Sequence, residues 1–100
     1  MREDRQRLDK WLWFARFAKS RTLAAKLVEA GFVRINGARA DNPAKAVAVG
    51  DVLTIAVART TAVVRVESLG ARRGPAPEAR LLYAPLERDD GALVTGEGSG

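Results

Sequence analysis

The chain has 100 residues, 47% of them apolar, and contains neither cysteine nor histidine. A length of this order builds one core, and the missing side chains exclude disulfides, thiolate nucleophiles, Cys/His zinc sites and imidazole acid–base chemistry. The net charge is +5 and the pI about 10.4, and the excess is segregated: residues 1–45 hold 11 Lys/Arg against 5 Asp/Glu, residues 46–100 hold 6 against 7. A polyanionic partner meeting the first half accounts for that segregation.

The opening MREDRQRLDK has no apolar stretch of the kind a signal peptide needs, and no apolar run approaches the roughly 20 residues that span a bilayer. The expectation is a cytoplasmic protein without membrane contact. Residues 7–18, RLDKWLWFARFA, follow a helical period that places Leu8, Trp11, Leu12, Ala15 and Ala18 on one face. A second helix is predicted over about 21–30, with Ser20 as N-cap and Gly31 just past its end. It is expected to bury Leu23 and Leu27, with Ala24 or Val28, and to follow the first helix after a join of two or three residues.

Beyond Gly31 the period shortens to two. In FVRINGAR, Val33 and Ile35 alternate with Arg34 and Asn36, and Asn36-Gly37 is the signal for a two-residue type I′ turn. DNPAK (41–45) reads as loop, VLTIAVA (52–58) and AVVRVESL (62–69) as strands. GARRGPAP (70–77) breaks the pattern. EARLLYAPL (78–86) fits one or two helical turns that end before Pro85. From about Arg88 the composition, RDDGALVTGEGSG, predicts a disordered tail. The fold class is therefore α+β: two N-terminal helices on a small, mostly antiparallel sheet, with a short C-terminal helical extension.

The set RLD-K-x-L, SR-x-x-A-x-x-L-V-x-x-G-x-V-x-I-NG, a following Pro, and V-x-x-GD-x-L-x-I spans residues 7–55 and resembles the RNA-binding domain named after the fourth protein of the small ribosomal subunit. With KWLWFARFAKSR and RRGPAPEARLLY, the resemblance reaches about residue 87 and extends to the small ribosome-associated heat-shock proteins of bacteria. It implies a domain at 7–69, a C-terminal extension at 70–87 and a tail at 88–100. It also implies non-catalytic binding to ribosomal RNA on the large subunit, with tRNA on a blocked subunit as a further partner. No cofactor or metal is expected, and the chain is expected to be monomeric. Proteins of this kind often end in a basic extension. Here the corresponding stretch is acidic and Gly-rich, so RNA contacts from such an extension are expected to be missing.

The residues expected to meet RNA are Arg7 and Lys10 on the first helix, Lys19, Ser20, Arg21 and Lys26 at the second, and Arg34, Asn36, Arg39 and Lys45 around the hairpin. The argument at the second helix is physical. A helix N-terminus favours anions, yet Lys19 and Arg21 flank its cap, so the anion expected there is a phosphate of the partner. On the same ground Arg21→Glu is expected to leave the fold intact or slightly firmer. Asn36 serves turn chemistry as readily as it reads a base, and Asp9, with no partner acid, base or ligand, reads as structural. Trp13 and Phe17 are suited either to base stacking or to packing under Leu81, Leu82 and Tyr83.

Three other readings fit less well. Domains of this type occur on pseudouridine synthases and tyrosyl-tRNA synthetases, but those catalytic domains exceed this whole chain. A DNA-binding regulator using the two helices would want base-reading side chains on the second, which offers Arg21, Lys26 and Glu29. A module for a ribosomal protein would not need the charge excess.

Overall fold

The computed structural model describes residues 5–57 and 60–86. The tail expectation at 88–100 lies outside them. Strand β1 (Arg5–Arg7) leads into α1 (Leu8–Phe14) and α2 (Arg21–Glu29). Strands β2 (Val33–Ile35), β3 (Ala38–Ala40), β4 (Ala46–Ala48), β5 (Val52–Val57) and β6 (Thr60–Val66) follow. A single turn α3 (Ala76–Ala79), a 3-10 turn at Arg80–Leu82 and β7 (Tyr83–Pro85) complete the chain. The main sheet runs β3-β2-β5-β6-β7, all antiparallel, and β1 pairs with β4 apart from it. The α+β class is as expected.

The two-residue period of the strands sets the core. Val33 pairs with Ile55 and Ile35 with Leu53, which in turn faces Val64. These side chains share the inner sheet face with the buried residues Leu8, Trp11, Leu12, Ala24 and Val28 from the helices. The Asn36-Gly37 turn has φ of +52° and +86°, the type I′ pattern.

The first helix is shorter than its apolar period. It ends at Phe14, and the amides of Arg16 and Phe17 donate to the carbonyls of Trp13 and Leu12. That is the paired bond of a Schellman cap, with Arg16 at φ +68° in the position glycine normally takes. Helix α2 ends in the same way, Gly31 and Phe32 donating to Val28 and Leu27. Residues 15–20 therefore join the helices, not the two or three expected. Ala15 and Ala18 are buried all the same, because the capped turn folds back under the core.

Three other expectations change. Leu23 is 45% exposed, while Ala24 and Val28 are fully buried. Across the longer join, α2 is turned so that its small residues Ala24 and Val28 face the core. The strand placed at 62–69 begins at Thr60 and ends at Val66. The stretch before Pro85 yields one helical turn and a 3-10 turn, and then strand β7, since Pro85 is tolerated at a sheet edge.

The extension is fastened to α1 and β1. The Gln6 amide exchanges two hydrogen bonds with the backbone of Gly70 (2.8 and 3.1 Å), and the Trp11 indole donates to the Ser68 carbonyl at 2.9 Å. Arg16 donates to the Gly74 carbonyl and Arg73 to that of Trp13, its guanidinium 6.0 Å from the Trp13 ring. Tyr83 packs on Phe17 with centroids 4.9 Å apart. So Phe17 lies under the extension as its packing alternative required, whereas Trp13 meets Arg73. Phe14 lies directly under Gly70, where a Cβ would collide with its ring. We expect Gly70→Ala to lower stability by about 1–3 kcal/mol in urea unfolding. An unchanged midpoint would contradict the seating of the extension on Phe14.

Candidate nucleic-acid interface

The interface is organised by one buried acid. Asp9, in the first turn of α1, has a side chain only 5% exposed. Its backbone amide and that of Leu8 donate to the carbonyls of Pro43 and Lys45 at 3.1 and 2.8 Å, so the loop between β3 and β4 caps α1. The carboxylate accepts two hydrogen bonds from the Arg7 guanidinium, both 3.1 Å, and Nε of Arg21 lies 3.8 Å from its Oδ2. Two arginines that remain 51% and 42% exposed are thus held at one buried anchor, and the three charges sum to +1. Arg guanidinium is planar and forked, so atoms not engaged by Asp9 stay available to phosphate.

Beside this cluster lies a groove of about 310 Å³ lined by Arg5, Arg39, Lys45 and Asn36, with Asp51 at one wall. Arg5 and Arg7 alternate along β1 with Gln6 between them, so both point away from the extension that Gln6 holds. The Lys45 carbonyl caps α1 next to Arg7. Arg39 lies across Gly31, where a Cβ would come within about 2.5 Å of its Nη2, and φ is +86°. The positive φ of the cap is what calls for glycine past α2, and the Arg39 guanidinium occupies the space that its missing side chain leaves. Arg34 faces Arg39 across β2 and β3 and donates weakly to the Gly37 carbonyl at 3.4 Å.

The remaining candidates separate from this strip. Ser20 caps α2, accepting from the Leu23 amide at 3.1 Å, as expected. Lys19 and Lys26 do not join Arg21; they line a second, apolar groove on the outer side of α2. Lys10 leans over the Phe14 ring, its Nζ 5.6 Å from the centroid. Asn36 accepts from the Val52 amide at 2.9 Å and donates to Asp51 at 3.2 Å, so its side chain is committed to holding the hairpin. Arg5 carries no signal of its own in the sequence, because RQR shows no period long enough to reveal a strand. No group of acidic residues suited to a metal occurs among the described residues, and no helix there is long and apolar enough to cross a membrane.

Residues 6–53, the span that carries Arg7, Asp9, Arg21 and the hairpin, match the S4 domain. This fold and its basic strip define an RNA-binding domain of the S4 class. The chain is 46% identical over 77 residues to Heat shock protein 15 of Escherichia coli strain K12, covering 77% of this chain and 57% of the relative. It is 41% identical over 87 residues to the Heat shock protein 15 homolog of Haemophilus influenzae, covering 87% and 66%. A trimeric structure of Vibrio cholerae Heat Shock Protein 15 superposes with a TM-score of 0.78 at 43% identity, over 82% of each chain. The chain belongs to the heat shock protein 15 family and spans 57% of the length of the E. coli relative.

The pairing of Arg21 with Asp9 reverses the expectation for Arg21→Glu. The gain from the helix dipole is a few tenths of a kcal/mol, whereas the new carboxylate stands beside a buried one. We expect a loss of about 1–2 kcal/mol after allowing for the solvent around residue 21. Arg21→Gln should lose less than half as much. Equal urea midpoints for wild type and Arg21→Glu would refute the anchor.

Proposed function

We propose that this chain is a non-catalytic RNA-binding protein that binds ribosomal RNA on the large ribosomal subunit. In this reading it acts under stress on subunits blocked by a retained tRNA and helps return them to use. The observation that carries the reading is the strip formed by Arg5, Arg7, Arg21, Arg39 and Lys45, part of it fixed at Asp9. Fixed cations suit a folded RNA whose phosphates have fixed spacing, and the S4 domain and the heat-shock relatives support that target. Arg34 extends the strip and Lys10, Lys19 and Lys26 remain outer contacts in the proposal, whereas the side chains of Ser20 and Asn36 are engaged in the helix cap and the hairpin.

The DNA reading fits the geometry poorly. A recognition helix presents polar side chains to base edges. The outer side of α2 presents Leu23 and Leu27 with Lys26, while Arg21 is drawn inward to Asp9.

The test is a sucrose gradient of cell extract followed for the tagged chain. Migration with the large subunit at low salt, and release as salt rises, is the expected result. Migration only at the top of the gradient would refute ribosome binding. With purified RNA, four to six phosphate contacts give a log–log salt slope of roughly −3 to −5. A flat slope would exclude the phosphate strip.

A further inference from the structure

The second groove has a composition unlike that of an RNA site. It encloses about 590 Å³ and is walled by Leu23, Leu27, Phe32 and Val57, with Lys19 and Lys26 as its charged members. Leu23 and Phe32 are 45% and 50% exposed, an apolar surface left open beside two cations. Nucleotides would cover that surface poorly, since apart from the two lysines the groove has no side chain that reads a base edge. A peptide with an apolar centre and acidic flanks matches both properties.

The chain itself supplies one. We propose that residues 89–97, DDGALVTGE, dock in the groove on the outer side of α2. Ala92-Leu93-Val94 is the one apolar run after Leu86, and Asp89, Asp90 and Glu97 flank it. The direction of the chain is right. The Leu86 amide donates to the Val63 carbonyl, so the chain leaves β7 alongside β6 heading toward Thr60. Thr60 pairs with Val57, which is a wall of the groove. From Val63 to Thr60 is roughly 10 Å of strand, and residues 87–91 extend to about 17 Å, so Leu93 reaches the groove without strain. Docking covers Leu23 and Phe32 and places carboxylates beside Lys19 and Lys26. Where those lysines also contact RNA, which rests on the function proposed above, the segment competes with RNA for them and tempers binding.

The chain has no cysteine, so Thr95→Cys carries a single nitroxide label in the full-length protein. With the label on a 15N-labelled chain, we expect broadening of the amides of Leu23, Leu27, Phe32 and Val57, while those of β3 and the 41–45 loop stay sharp. Adding Leu93→Asp should abolish the broadening. Uniform or absent broadening overturns the proposal. So does broadening of a 15N chain by a label on a separate chain, because the occupant would then be a second copy. RNA affinity separates the two ideas. Leu93→Asp alone should tighten binding about threefold by freeing two phosphate contacts. Groove broadening with unchanged affinity keeps the docking and removes Lys19 and Lys26 from the RNA surface.

Discussion

The basic surface depends on the carboxylate of Asp9. A buried charge is costly unless it is paired and hydrogen-bonded, and Asp9 is paired from two directions, by Arg7 at the end of β1 and by Arg21 in the first turn of α2. The same residue lies at the start of α1, whose free amides are closed by the loop before β4. One acid thus ties two helices, a strand and a loop. Its effect on function is indirect. Long cationic side chains lose rotamer freedom when they bind a phosphate, and arginines already held at Asp9 have surrendered part of that freedom in folding.

The extension works on the opposite flank. Helix α1 has only seven residues, too few to persist without packing. Its C-terminal end is held by the Schellman turn, by the Arg73 guanidinium on the Trp13 carbonyl and by Gly70 over Phe14. Trp11 spans the core from the helix to the Ser68 carbonyl. Since α1 carries Asp9, the fixing of the extension and the placing of the arginines are parts of one arrangement. Residues 83–85 join the main sheet, so the extension shares the core of the S4 fold.

How much of this was legible depends on whether a local residue type carried the signal. Ser20 and Gly31 mark the ends of α2 and Asn36-Gly37 marks the hairpin, each by its own backbone chemistry. The core alternation of β2 and β5 was legible for the same reason. The end of α1 was not, because an arginine occupies the left-handed position where glycine would have announced it. Strands β1 and β7, three residues each, are specified by partners distant in sequence rather than by any period of their own. At the site, the charges of Arg7 and Arg21 were visible. Their convergence on Asp9 was not, since it requires knowing how α1 and α2 pack. That convergence changes the answer to why cations flank a helix cap. Arg21 answers an acid within the chain, while Lys19 faces another surface altogether.

The most direct test of this account is the RNA affinity of Asp9→Asn at one fixed salt concentration, with folding verified by circular dichroism. Removing a negative charge from a basic surface should strengthen binding to a polyanion if charge alone matters. If Asp9 acts by holding Arg7 and Arg21, the folded variant should instead bind RNA about three- to tenfold more weakly, as the arginines lose their fixed positions. Tighter binding by the folded Asp9→Asn variant would contradict the account.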